Sequence, residues 1–425
     1  MLPFILCFRS CGASVPTLCP SFQIEVGLEE DKAVSQLAGV GDGTSSESTK
    51  GSGDPAVQKE KFYTPASEHL ISLRRKVAPR AFKAAKGRLE HEKRKRGDPS
   101  LYRKAEEEAA KLYDTVTHLH CTCSQIGDKR PISCVKYSPC EKWILTTAWS
   151  GQATTWSKET MEKHKTYVGH TCRALEGDWH PRAGLSGGPT SSSANFATAS
   201  SDGTAMLWSL DSEKPMKTLK GHTARLAHIA WHSDGEHIGT TSYDRTWRLW
   251  NAERGAEVLC QEGHAVEVYS LAFQCDGALV ATGDLGGVAR VWDLRSGKSI
   301  FLMQGHAKGV ISIDWSPAGY RLATAGDDHT VRMWDLRAKN CEYVIPAHTH
   351  VVSKVKFAPV TGEYLVTSSF DRSCKIWSTR DYSNLNTLGA HEDKLISFDI
   401  SRDEKHFLTC AFDRTFKAWS HVSEF

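Results

Sequence analysis

Seven tryptophans recur at nearly constant spacing, and no other feature of this chain narrows its possible folds so sharply. They are Trp156, Trp208, Trp250, Trp292, Trp334, Trp377 and Trp419, at intervals of 52, 42, 42, 42, 43 and 42 residues. Each from Trp208 on closes a related string, among them "SYDRTWRLW" (242–250), "SFDRSCKIW" (369–377) and "AFDRTFKAW" (411–419). The long first interval contains "AGLSGGPTSSSAN" (183–195), a turn-rich insertion. A His after Gly or Ala precedes each Trp from Trp208 on: His222, His264, His306 and His391 by 28 residues, His348 by 29 and His170 by 38. Six residues before the Trp stand Asp202, Asp244, Asp328, Asp371 and Asp413.

Inside one unit, alternating runs such as "ISIDW" (311–315), "RLATAG" (321–326) and "TVRMWD" (330–335) are separated by turn residues, as short antiparallel strands require. A period near 42 with Gly-His and Trp-Asp-like signatures marks a WD-repeat β-propeller with four strands per blade. The predicted fold is therefore all-β, a seven-bladed propeller preceded by a basic helical arm and a disordered amino-terminal segment. In each blade the turn Asp is expected to accept from the His, the His to bond a strand hydroxyl such as Ser200, Ser242 or Ser369, and that hydroxyl to take the indole N–H. The sets His222/Asp244/Trp250, His306/Asp328/Trp334, His348/Asp371/Trp377 and His391/Asp413/Trp419 carry this structural role. Blades one and four depart from it, with Ser150 and Gly286 at the Asp position and Gly127-Asp128 in place of Gly-His. Both are expected to be less rigid.

Only six residues follow Trp419, too few for a fourth strand in the last blade. The strand-like "TVTHLHCTCSQI" (115–126) is expected to supply it and close the ring, which removes an exposed edge. That places the propeller at 115–425, the arm at 61–114, and disorder at 1–60, where 39–54 reads as a Gly/Ser-rich linker. In the arm, Leu70, Leu73 and Val77 share a helix face, Pro79 is expected to interrupt it, and Asp98-Pro99 begins a second helix with Leu101, Ala105, Ala109 and Leu112 as its stripe. The arm is too polar to fold alone.

Ser, His and Asp recur five or six times at one period, whereas a catalytic triad would appear once, so no enzyme is expected. There is no P-loop, HExxH or zinc-spaced Cys/His set, and no cofactor or metal is implied. The thirteen cysteines lack CxxC pairs, which suits a reducing compartment. "MLPFILCFRSC" lacks a basic n-region and its apolar run stops at Arg9, so secretion is not expected. Nor is a membrane partner or a small-molecule substrate.

Two surfaces remain as candidates for partners. The residue before the turn Asp points to one rim of the disc, and it is aromatic in four blades: Trp149, Tyr243, Phe370 and Phe412. Arg245, Arg372 and Arg414 follow the same Asp, and aromatic and Arg residues are the common anchors of interfaces. The plainer reading is that these rings pack on neighbouring blades. The second surface is the arm. Residues 74–96 hold Arg74, Arg75, Lys76, Arg80, Lys83, Lys86 and Arg88, then Lys93, Arg94, Lys95 and Arg96, against two acids. Such a run can neutralise RNA phosphates or act as a nuclear import signal, and its plainer reading is a solvated helix face. Two "WDLR" strings, ending at Arg295 and Arg337, are similar to the motif by which some propellers dock a cullin ubiquitin ligase adaptor. The alternative function is thus a substrate receptor of such a ligase, and the plainer reading is an ordinary strand-to-turn sequence.

Strings outside the shared repeat grammar resemble one family, the WD-repeat pre-mRNA-processing factor of the U4/U6 small nuclear ribonucleoprotein. They are "SQIGDKRPIS" (124–133), "GTTSYDRTWRLW" (239–250), "QEGHAVEVYSLAF" (261–273), "YVIPAHTHVVSKVKF" (343–357), "FDRTFKAW" (412–419) and, in the arm, "APRAFKAAKGRLE" (78–90). The resemblance implies a non-enzymatic nuclear scaffold of the U4/U6 and U4/U6.U5 particles in pre-mRNA splicing. Its implied partners are U4/U6 snRNP proteins, among them a cyclophilin-type isomerase, and the U4 and U6 snRNAs. Residues 1–60 show no copy of the family's short acidic splicing-factor motif, a departure that bears on the cyclophilin contact.

Overall fold

The computed structural model describes residues 67–421; the expected disorder and linker at 1–60 lie outside the described residues. Twenty-eight strands form seven four-stranded antiparallel sheets, preceded by two helices. Blades one to six run in chain order over 132–168, 174–219, 226–261, 268–304, 310–345 and 352–388. Blade seven combines the strands Leu395–Ile400, Phe407–Ala411 and Thr415–His421 with Leu119–Ile126 as its outermost strand. The pairing runs from Leu119 opposite His421 to Ile126 opposite Thr415, so the blade is completed from the other end of the described chain. The closing strand starts at Leu119 rather than at 115: Thr115–Thr117 remain in the preceding helix, where the Thr115 and Thr117 hydroxyls donate to carbonyls four residues back.

The tryptophans and strand alternation build the core. Each inner sheet face buries small and branched residues against the next blade; Leu322, Ala323, Ala325, Val331 and Met333, for example, are fully buried in blade five. Blades are also stitched by polar bonds. Asp178 Oδ2 accepts from the Trp231 backbone N–H at 2.7 Å, Asp314 Oδ2 from Phe357 N–H at 2.8 Å, and Asp399 Oδ2 from Tyr137 N–H at 2.7 Å, the last across the seam between blades seven and one.

Helix α1 spans Glu68–Gly97 and α2 spans Pro99–Thr117. Ser67 caps α1 through the Leu70 N–H, and Asp98 caps α2 through Ser100 N–H with Pro99 in its first turn. Pro79 lies inside α1 and does not end it. The segments on both sides are held to the propeller: Leu70, Leu73 and Val77 join the core of blades three and four, while Ala81 is buried and Arg88 is anchored further on. Tertiary docking thus outweighs the lost helix hydrogen bond. α2 docks on blade six, where Tyr113 Oη donates to the Glu363 carbonyl at 3.1 Å and Asn386 Nδ2 to those of Val116 and Thr117.

Candidate functional site

The repeated polar chain is present in six blades, with one change of partner. The indole N–H of Trp208, Trp250, Trp292, Trp334, Trp377 and Trp419 donates to a Thr ten residues earlier: Thr198, Thr240, Thr282, Thr324, Thr367 and Thr409. The same hydroxyls bond Nε2 of His170, His222, His264, His306, His348 and His391 at 2.7–2.8 Å. The expected Ser200, Ser242 and Ser369 are not in this chain. They stand two residues later and accept the backbone N–H of the turn Asp instead, as at Asp244 and Asp371. Both residues share one strand face, and register separates them: Ile238 pairs with Trp250, so Thr240 stands one step along that face from the indole's partner and Ser242 two.

Each imidazole Nδ1 meets a carboxylate: Asp202, Asp244, Asp328, Asp371 and Asp413, at 2.7–3.1 Å. Burial alone would raise these carboxyls. The imidazole and neighbouring hydroxyl bonds outweigh it and hold all five well below the usual carboxylate range. Blade four, expected to be weakened by Gly286, has a complete chain, since Asp284 reaches His264 Nδ1 at 2.8 Å from two residues upstream. Blade one lacks the repeat His. There Asp128 occupies its place and accepts from Ser150 Oγ at 2.7 Å, while Trp156 still donates to Thr146 at 2.9 Å.

This lock frees the rim for other use. Trp149, Phe370 and Phe412 gather across blades six, seven and one, with ring centroids 4.9 Å apart for Trp149–Phe412 and 6.4 Å for Phe370–Phe412. Tyr243 stands apart with Arg225 lying on its ring at 3.7 Å. All four rings are half-buried, so they pack on neighbours and present an edge as well. Arg245, Arg372 and Arg414 are exposed and have φ of 68°, 71° and 67°. Gly151, Gly203 and Gly287 hold the equivalent position in three other blades with φ of 83°, 79° and 87°. A side chain in this left-handed conformation costs roughly 1 kcal/mol relative to glycine, so the arginines sit where glycine would be easier.

Below the rim lies a channel that the repeat spacing does not reveal. Glu176 meets Lys354 Nζ at 3.4 Å and Lys136 Nζ at 3.6 Å, and Lys136 reaches Asp178 at 2.8 Å. Burial would raise the Glu176 carboxyl, but the two ammonium groups and His228 hold it below its ordinary range. Burial lowers His228 to about 4. It also pushes the Asp314 carboxyl up to about 6, against the pull of Phe357 N–H and Lys356. The signal was available in the inner-strand strings, where a charged residue breaks the apolar run at Lys136, Asp178, Asp314, Lys356 and Asp399.

The arm divides its cations. Arg74 Nε donates to the Leu294 carbonyl at 3.2 Å, Lys76 pairs with Glu236 at 3.1 Å, and Arg88 bridges two blades through Asp276 and the Ala318 carbonyl. These contacts are on the face opposite the rim, since they fall in turns at the other ends of the strands. Arg75, Arg80, Lys83, Lys86, Lys93, Arg94 and Arg96 are exposed, and Lys95 is half-buried. The two "WDLR" arginines are engaged within their own turns: Arg295 with Asp293 at 3.0 Å and over Phe82 of the arm, Arg337 with Asp335 at 2.7 Å and flat on Tyr320 at 3.7 Å.

Fold and rim together define a WD-repeat propeller, an architecture that typically serves as a non-enzymatic scaffold for protein partners. The family model described as IFT122 first beta-propeller matches residues 189–420, and the chain belongs to this family; the WD domain, G-beta repeat model matches 119–157. An uncharacterized WD repeat-containing protein of Schizosaccharomyces pombe is 34% identical over 185 residues, 43% of this chain and 38% of that protein. The human U4/U6 small nuclear ribonucleoprotein Prp4 is 39% identical over 108 residues, 25% of this chain and 20% of its own length. The Saccharomyces cerevisiae U4/U6 small nuclear ribonucleoprotein PRP4 is 31% identical over 192 residues, 42% of this chain and 38% of its own. The chain thus spans about two fifths or less of these curated relatives.

Proposed function

We propose that this protein is a nuclear scaffold of the U4/U6 small nuclear ribonucleoprotein, acting in pre-mRNA splicing. The carrying observation is the partial likeness to the human and yeast Prp4 proteins, joined to a rigid propeller whose rim keeps strained, exposed arginines beside an aromatic cluster. In this reading the rim side of blades six and seven, with Phe370, Arg372, Phe412 and Arg414, receives partner proteins of the particle, and Arg245 adds a contact on blade three. A cyclophilin-type isomerase is one candidate partner. The exposed cations of α1 neutralise phosphates of paired U4 and U6 snRNA, with Arg74 and Arg88 spent on holding the helix in place. If about four phosphates are met, log affinity for duplex RNA falls against log salt with a slope near −3 to −4.

The test is to purify the tagged protein from nuclear extract at moderate salt and sequence the RNA that accompanies it. Joint enrichment of U4 and U6 snRNAs is expected, and their absence sinks the splicing assignment. In the same preparation, combined Arg245→Gly, Arg372→Gly and Arg414→Gly changes should deplete partner proteins without lowering the melting temperature, because glycine relieves the left-handed conformation.

A further inference from the structure

Blade one is where the repeat departs furthest from its own rule, and the surface beside that departure is unusual in charge. An open groove of about 830 Å³ runs along the rim from the loop before blade one to the loop before blade three. It is lined by Lys129, Arg130, Lys163, Arg173 and Arg225, all exposed, and by a single carboxylate, Asp128. That carboxylate is already occupied, accepting from Ser150 Oγ at 2.7 Å and Arg130 N–H at 2.9 Å. None of the five cations forms an ion pair among the described residues. Five blades hold an Asp at the turn position and blade four supplies Asp284 from two residues upstream; here it is Ser150, which removes one more negative charge.

Two of the cations are held in a particular way. Arg173 lies over the Trp149 ring at 4.2 Å and Arg225 over the Tyr243 ring at 3.7 Å. A guanidinium laid on an aromatic face is fixed in plane, and its outer face is a flat cation on which a nucleobase can stack. Lys129 and Arg130 come from the loop before blade one and Lys163 from the outer strand of that blade, so they line the groove from two segments and form a track. Stacking planes alternating with a cationic track match a single nucleic acid strand.

We infer that this groove binds single-stranded RNA, with bases on the Arg173 and Arg225 planes and phosphates along Lys129, Arg130 and Lys163. The site is on the opposite face of the disc from α1, and it stands whether or not the snRNP assignment does.

The test uses the full chain and a short fluorescein-labelled oligouridylate, read by fluorescence anisotropy across a salt series. With three or four phosphates contacted, log affinity should fall against log salt with a slope of about −2 to −3. Combined Arg173→Ala and Arg225→Ala should weaken binding roughly tenfold or more through lost stacking. Lys129→Ala with Lys163→Ala should flatten the slope by about one unit or more. All these side chains are exposed, and an unchanged circular dichroism melt shows that each variant is folded. Replacing Lys93, Arg94, Lys95 and Arg96 with Ala should leave the oligouridylate affinity unchanged. Loss of binding in that arm variant, with the groove variants normal, would overturn the inference while leaving the arm reading intact. Equal competition by a polyglutamate peptide of matched charge would overturn it too, since the groove would then take acidic protein segments.

Discussion

At the scale of single residues, the threonine ten positions before each tryptophan connects everything else in the blade. Thr324 Oγ accepts from the Trp334 indole and bonds His306 Nε2 at 2.7 Å, and His306 Nδ1 in turn meets Asp328 at 2.9 Å. One arrangement of protons satisfies the set: indole to hydroxyl, hydroxyl to imidazole, imidazole N–H to carboxylate. Thr324→Val keeps the volume and removes both bonds, leaving a buried indole N–H and an imidazole nitrogen unpaired. The expected loss is about 2–6 kcal/mol, from roughly 1–3 kcal/mol for each of the two buried groups left unsatisfied. Chemical denaturation measures it, and a loss under ~1 kcal/mol would mean that the chain of bonds contributes little. The Thr was legible, standing at the same distance from all seven tryptophans, but the serines two residues later are as regular in several blades. Both share one strand face, so choosing between them needs the pairing register with the tryptophan's strand.

At the scale of elements, the decisive piece is the strand Leu119–Ile126. It does not pair with the strands of blade one that follow it; it pairs along its whole length with Thr415–His421 and covers an edge that would otherwise expose unpaired N–H and C=O groups. Removing residues 119–126 should lower the melting temperature of the whole propeller and increase aggregation, whereas an unchanged melt would refute the closure. The helices show the converse. Pro79 reads locally as a break, yet α1 continues through it because Leu70, Leu73 and Val77 on one side are gripped by blades three and four and Arg88 on the other by blades four and five. Helix propensity decides only where packing does not.

At the scale of the whole molecule, the channel couples charge to stability. Asp314 has its folded pKa raised to about 6, above the roughly 3.9 of an unfolded aspartate. The folded state therefore binds more protons between those values, and this group's contribution to stability falls as pH rises through that window. Asp314→Asn keeps an acceptor for Phe357 N–H and removes the charge. It should stabilise the protein at pH 7.5 by on the order of 1 kcal/mol, discounted for water in the channel, and the gain should vanish below about pH 4. His228 and Glu176 act in the opposite sense. Both folded pKa values are lowered, so their contributions are lost on acidification, His228 as pH falls from about 6.5 toward 4 and Glu176 below the ordinary carboxylate range. Thermal melts across pH separate the two signs.

The sequence alone determined the architecture, because a propeller blade is a local unit. Where they are present, a blade's Trp, His and turn Asp lie within about 40 residues, and periodicity exposes what the units repeat. Blade number, the amino-terminal origin of the closing strand and the aromatic rim followed from that. What only the tertiary structure decided is whatever depends on side-chain reach or on meetings between units: the use of Asp284 for the missing Asp in blade four, the stitching by Asp178, Asp314 and Asp399, the division of the arm into docked and free cations, and the laying of Arg173 and Arg225 on rings of other segments. The stitching bonds join residues 43 to 262 positions apart, beyond the reach of one repeat, and their energies depend on burial that only the closed ring creates.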